Sequence, residues 1–372
     1  MRTSARLSVS VVAAAMATTA FAGSAVLAQD VEGNLDVHGS STVYPISTRV
    51  SEKLKETNPG FAYTIGGEGS GDGFAQFFCP GVSDVSDASR PMKDSEAETC
   101  ASNGVTWTEL KIGYDGIAVL TNPANPIECV SFADLYAVFG PESNDITTYE
   151  DATAFAQELG STHDLGSGRI AITAPGTESG TYDTFGELVM DGIMAERGFE
   201  SESTTRDPVP PYWVGAANDN VIIEGMRNAP DPNVYGFVGL AYAEEAGDAV
   251  KTLAVDKGDG NCVVPTPDTV ASAEYPISRP LFIYPALAKM ADNPVISSWV
   301  DFYLSDEGIA SVTEVGYVGL PAEELQQTRD QWAAAKAGDE SATDARAWAG
   351  EDVAGVDVLS TESMAPEASP AS

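Results

Sequence analysis

Three stretches of this chain repeat one local design: an apolar strand-like run, a loop of glycine and hydroxyl residues, then a helix-forming segment. The loops contain Ser40-Ser41-Thr42, Gly69-Ser70-Gly71 and Ser179-Gly180-Thr181. Leu35–Val37, Ala62–Ile65 and Arg169–Thr173 read as the strands before them. Pro45–Glu56, a helix opening at Phe74–Phe78, and Tyr182–Met190 read as the helices after them. Further strands are expected at Gly116–Leu120, Val234–Leu240 and Leu281–Tyr284. Further helices are expected over Ser131–Phe139, with Ser131 as N-cap, and over Tyr242–Glu245, Val295–Leu304 and Glu307–Val315. This alternation predicts an α/β fold. A chain of 372 residues exceeds one comfortable hydrophobic core, so two domains are expected.

The loops also carry chemistry. A helix N-terminus presents unpaired backbone N–H groups and the positive end of the helix dipole. Glycine lets the backbone approach a ligand, and Ser and Thr add hydroxyl donors. Together they make an anion site that needs little formal positive charge. One such loop alone is usually a helix cap; three in one chain point to a ligand. No Lys follows the glycine run, so none is the phosphate-binding loop of nucleotide hydrolases. A fourth segment, Ser86-Asp87-Ala88-Ser89-Arg90-Pro91, adds a carboxylate. An ionised carboxylate only accepts hydrogen bonds. It can therefore hold a protonated oxyanion and repel a fully deprotonated one such as sulfate. Arg90 is placed to neutralise Asp87 or to reach the ligand.

Other features narrow the class. Arg2 and Arg6, the apolar run from Leu7 to Ala22, and Val26-Leu27-Ala28 read as a secretory signal peptide cut after Ala28. Four Cys in an exported chain favour disulfides. A zinc cluster is disfavoured by the Cys spacing and by the presence of only two His, His38 and His163. The formal net charge of −37 excludes nonspecific binding to nucleic acid or to anionic membranes. It also repels an anionic ligand at long range, so capture depends on local dipoles and short hydrogen bonds. Ser41 and Ser179 lack a nucleophile-elbow motif and a His base, and no metal-ligand cluster is visible, which argues against a hydrolase. Tyr212, Trp213 and Trp299 are expected in the core or at an interface rather than stacking a sugar. Beyond Ala337 the composition turns to Ala, Glu, Asp, Ser and Pro, which predicts an acidic disordered tail.

The ordered set of motifs resembles the periplasmic phosphate-binding proteins of ABC-type phosphate uptake systems. The matching stretches are Gly39–Pro45, Gly69–Gly73, Ser86–Pro91, Gly113–Val119, Ser179–Asp183 and Tyr275–Leu281. The resemblance implies a two-lobed type II binding-protein fold with two crossing strands, near Ala118–Asn122 and Pro276–Ile283. Residues 1–28 would be the signal peptide, 29–118 and 277–337 the first lobe, 119–276 the second, and 338–372 the tail. It implies inorganic phosphate as ligand, no cofactor, a permease as partner, and a monomeric binding protein that is not an enzyme. A receptor for phosphonate, sulfate or molybdate, or a phosphate-binding surface protein, is the alternative. Ser41, Thr42, Ser70, Asp87, Ser179, Gly180 and Thr181 fall on the family's contact positions, and Arg90 joins them as a candidate. The family often has an Arg four residues before the Ser of the Ser-Gly-Thr loop; Pro175 stands there. Arg90 is the expected replacement and Arg206 the weaker one. Of three possible disulfide pairings, Cys79–Cys100 and Cys129–Cys262 are preferred: the first closes a short loop, and each bond then stays within one lobe.

Overall fold

A computed structural model describes residues 31–344, apart from 178, 202, 203 and 217. The expected signal peptide and most of the acidic tail lie outside the described residues.

Twelve strands form in chain order: β1 Gly33–Gly39, β2 Phe61–Gly66, β3 Val85–Ala88, β4 Leu110–Thr121, β5 Cys129–Ser131, β6 Ala171–Ala174, β7 Trp213–Gly215, β8 Val234–Gly239, β9 Lys251–Thr252, β10 Ala254–Asp256, β11 Ser278–Pro285 and β12 Val318–Gly319. The main sheet runs β2-β1-β3-β11-β4-β8-β6-β7, with β9 and β12 also on β4. β1 is parallel to β2 and β3, and β6 is parallel to β7 and β8. β11 runs antiparallel between β3 and β4.

β4 is the hinge of this arrangement. Its residues 110–116 pair with β11, and residues 117–121 pair with β8. All 12 of its residues are buried, which explains its near-continuous apolar sequence. The hand-over therefore falls at Gly116/Ile117, just before the crossing expected at Ala118–Asn122. The return runs beside it, where the Ile117 N–H donates to the Ile277 carbonyl at 3.1 Å. The hydrophobic core divides close to the same place, with Tyr114 and Val318 already in the cluster of the middle segment. One cluster, including Leu35, Val50, Ile112, Leu281 and Trp299, belongs to the chain ends. Another, including Leu120, Phe139, Phe185, Trp213 and Phe237, belongs to the middle.

Local signals account for the helices. The helix Tyr44–Thr57 opens with Pro45 in its first turn, and buries Ile46, Val50 and Leu54 at four-residue spacing. Ser131 caps Phe132–Phe139: its Oγ accepts from the Asp134 N–H at 3.2 Å, and Asp134 Oδ2 accepts from the Ser131 N–H at 2.6 Å. Two expectations shift. The segment after the glycine loop is a wide π-helical turn, Gly73–Phe78, where Gly73 presses against Gly39 and sends Phe74 and Phe78 inward beneath Tyr284. The helix expected over Glu307–Val315 is two short turns, Asp306–Ile309 and Ser311–Glu314. Folded chain also continues past Ala337: Ala342 is buried and the Asp344 N–H donates to the Trp107 carbonyl at 2.7 Å.

The disulfides are Cys79–Cys100 and Cys129–Cys262, the preferred pairing. Their sequence separations are 21 and 133, and the two loops do not overlap. Chain entropy assigns about 3 kcal/mol to the shorter loop and about 5 kcal/mol to the longer. Replacing Cys129 and Cys262 by Ser should thus lower the urea midpoint more than replacing Cys79 and Cys100, and the two losses should add. Equal midpoints for the two pairs would contradict this ordering.

Candidate functional site

The loops after β1, β2, β3 and β6 all leave the carboxyl ends of parallel strands, where open α/β sheets place their ligands. Ser40 organises the first loop: its Oγ accepts from the N–H groups of Thr42 (3.2 Å) and Val43 (3.4 Å), and its own N–H donates to the Asp87 carbonyl at 2.9 Å. The second loop is tied to the first, because the Gly69 N–H donates to the Gly39 carbonyl at 2.8 Å. Ser70 Oγ then accepts from the Ser89 N–H at 3.0 Å, joining the second loop to the third. In the fourth loop Ser179 Oγ accepts from the Thr181 N–H at 3.2 Å at the start of the helix Gly180–Phe185.

The two halves meet at these loops. A Cβ built on Gly180 would stand 3.5 Å from the Ser41 carbonyl oxygen and 3.6 Å from the Thr42 Cα. Thr42 Oγ1 lies 3.2 Å from Thr184 Oγ1 on the opposite face. Ser41, Thr42, Ser179, Gly180 and Thr181 therefore converge, while Ser70 sits beside Ser89 on the same side as Asp87.

Asp87 occupies β3 with no solvent exposure. Ser47 Oγ donates to its Oδ1 at 3.0 Å, and its Oδ2 has no hydrogen-bond partner among the described residues. Burial pushes this carboxyl up to about 8, and the Ser47 hydrogen bond only partly opposes the rise. The buried Tyr303 hydroxyl is pushed up as well, first by burial and then by the Asp87 charge. A buried carboxyl with one open oxygen fits a ligand that shares a proton with it.

The arginines are placed differently from expectation. Arg90 does not neutralise Asp87. Its guanidinium forms a two-pronged pair with Glu96, Nη1 to Oε2 at 2.9 Å and Nη2 to Oε1 at 2.7 Å. Glu96 lies six residues on, within reach of the same turn, and also accepts from the Lys93 N–H. Arg90 borders the glycine loop, since a Cβ on Gly71 would stand 3.7 Å from its Nη2. Arg206 is buried in the second core, where it donates to the carbonyls of Val138 (3.2 Å) and Ile146 (3.0 Å). Trp213 and Trp299 are fully buried, and Tyr212 packs under Arg169 and Arg206. Cys129, Cys262 and His163 lie close together, but both sulfurs are bonded to each other.

Sequence reasoning missed Arg279, Thr184, Asp115 and Glu187. Arg279 on β11 is 7% exposed, and its Nη2 donates to both Thr42 Oγ1 (2.8 Å) and Thr184 Oγ1 (2.5 Å). It also pairs with Glu187 and faces Asp115 Oδ2 at 3.6 Å. The available signal was a charged residue two positions before the apolar run Leu281–Tyr284.

Two outcomes follow from this geometry. The unfolded Asp87 carboxyl ionises near pH of about 4, and the buried one near 8. As pH rises the unfolded chain loses its proton first, so the stability Asp87 contributes is full below the lower value and is lost as pH climbs through the upper. The melting temperature of ligand-free protein should fall more steeply between about pH 5 and pH 8 in wild type than in Asp87→Asn; parallel curves would refute the assignment. Gly39 has φ of +144° and a Cβ there would stand 2.0 Å from the Asp87 carbonyl oxygen. Gly39→Ala should therefore lower the melting temperature sharply, whereas Gly180→Ala, whose Cβ makes only ordinary contacts, should change it little.

Comparison with known proteins places this arrangement in a lineage. A family model described as the PBP superfamily domain matches residues 23–307. Protein SphX of Synechococcus elongatus is 34% identical over 301 residues, covering 81% of each chain. Phosphate-binding protein PstS of Staphylococcus epidermidis is 29% identical over 305 residues, covering 81% of this chain and 83% of that one. The crystal structure of a possible phosphate-binding protein from Planctomyces limnophilus is 30% identical with a TM-score of 0.70, covering 82% of this chain and 99% of that one. With its sheet split across β4 and its hydroxyl loops facing each other, this chain has the two-lobed type II fold and belongs to the PBP superfamily, on its PstS-like branch.

Proposed function

We propose that this chain binds inorganic phosphate between its lobes and delivers it to the permease of an ABC transporter. The observation that carries the reading is Asp87, a fully buried carboxyl with one oxygen held by Ser47 and the other without a partner, set beside the hydroxyl loops. Relatives named as phosphate-binding proteins support the same ligand. Ser41, Thr42, Ser70, Ser179, Gly180 and Thr181 would supply neutral donors to the phosphate oxygens. Asp87 would share the ligand's proton. Arg90, answered by Glu96, would bound the glycine loop rather than contact the ligand.

Family members are solute-binding proteins, and the action here is reversible capture with no covalent step and no cofactor. Residues 29–118 and 277–337 form one lobe in this reading and 119–276 the other, a division that falls close to where β4 passes from β11 to β8. Closure of the lobes around the ligand would present a surface to the permease. The chain would act as a monomer outside the cytoplasm after cleavage at Ala28. No described helix is long and apolar enough to cross a membrane.

The test is calorimetric. Protein stripped of ligand by unfolding and refolding, with its disulfides kept oxidised, is titrated with phosphate and with sulfate. Phosphate should bind one-to-one across about pH 6 to pH 9, because it keeps a proton throughout. Sulfate should bind poorly at the upper end, where Asp87 is ionised, and better as pH falls through about 8, where Asp87 can donate. Asp87→Asn should bind sulfate with little dependence on pH. Absence of phosphate heat from folded wild-type protein would overturn the proposal.

A further inference from the structure

Arg279 is the cation that touches a candidate ligand-binding hydroxyl, and it does so from the strand that closes the hinge. Its Nη2 reaches Thr42 on the loop after β1 and Thr184 on the helix after β6, so one planar group spans both lobes. Its Nη1 pairs with Glu187 on the second lobe, and its buried Nε, with no hydrogen-bond partner among the described residues, faces Asp115 Oδ2 at 3.6 Å. Taking a guanidinium out of water is costly unless charges and acceptors surround it. Here those acceptors are divided between the two proposed lobes, so parting the lobes would take Thr184 and Glu187 away from the guanidinium.

The hydroxyl protons give the arrangement a direction. The Thr184 hydroxyl donates to the Gly180 carbonyl at 2.9 Å. A hydroxyl has one hydrogen, so Thr184 cannot also donate to Thr42. Thr42 Oγ1 already accepts from Arg279. The Thr42 hydrogen is therefore the one left to give, either to Thr184 or to an oxyanion between the loops.

We propose that Arg279 is a positioning residue that latches the two lobes through Thr42 and Thr184 and turns the Thr42 hydroxyl toward the bound oxyanion. The donor half rests on the phosphate reading above; the latch half does not. Arg279 touches no ligand in this account. It acts through Thr42, and it ties the affinity of the site to the closed arrangement of the lobes.

The experiment compares wild type with Arg279→Gln, Arg279→Lys, Thr184→Val, Thr42→Val and the double variant Thr42→Val/Arg279→Gln. Phosphate affinity is measured by calorimetry, release by stopped flow, and the radius of gyration of ligand-free protein by small-angle scattering. Arg279→Gln should weaken phosphate roughly 10- to 100-fold, mainly through faster release. Thr184→Val should shift affinity in the same direction while leaving the arginine in place, which keeps the test valid should Arg279→Gln fold poorly. Arg279→Lys should recover part of the loss. On the Thr42→Val background, Arg279→Gln should cost clearly less than it does in wild type, because the part of its effect that passes through Thr42 is already gone. Ligand-free Arg279→Gln should be more extended than wild type. Unchanged phosphate affinity, or losses that add in the double variant, would overturn the donor half. Superimposable scattering profiles would overturn the latch. Failure of wild type to bind phosphate would overturn the phosphate reading and the donor half with it, and the scattering would still decide the latch.

Discussion

Two hydrophobic cores share one strand. β4 spends its first residues in the sheet of the chain ends and its last in the sheet of the middle, and it is buried along its whole length. Everything that faces the cleft is placed relative to this shared element. The loops after β1, β2 and β3 are fixed to one sheet, and the loop after β6 to the other. The distance between them is set by how the chain crosses at Gly116/Ile117 and returns at Ile277. Gly116 is needed there because a Cβ would meet Val270 at 2.7 Å.

The second constraint is charge. A chain with a net charge of −37 that binds an anion must do so at short range. At physiological salt the repulsion from distant carboxylates is screened within roughly 8 Å, so the site is governed by its immediate neighbours. Those neighbours are neutral donors: the hydroxyls of the Ser/Thr loops and the backbone N–H groups that no strand uses. Nearby cations are answered by carboxylates, Arg90 by Glu96 and Arg279 by Glu187 and Asp115. Asp87 has no cation partner among the described residues, and burial favours its neutral form.

Much of this was legible in the chain. The strand–loop–helix units, the Ser131 cap, the burial of Trp213 and Trp299, and the two disulfide pairs follow from short-range patterns or from the compactness of each lobe. Asp87 stood out because a carboxylate among anion-binding loops needs a reason. The arginines were not legible. Arg90 is only three residues from Asp87 in sequence, but its guanidinium pairs with Glu96. Arg279 lay in a motif that was noticed for its resemblance rather than for its charge. The wide turn at Gly73–Phe78 was equally hidden, since it accompanies a close approach of Gly73 to Gly39, a residue on another element.

The sequence by itself determined the local units: where strands end, which hydroxyls cap helices, and which glycine and hydroxyl loops follow the strands. These depend on neighbours a few positions apart, whose spacing is set by helix and strand periodicity. Only the tertiary structure decided which charges meet. Thr42 and Thr184 are 142 residues apart and Thr42 and Arg279 are 237 apart, and they touch because the shared sheet brings the loop after β1, the helix after β6 and β11 to one place. A guanidinium can satisfy itself with whichever acceptors the fold delivers, so its partners are a property of the assembled lobes and not of the segment that carries it.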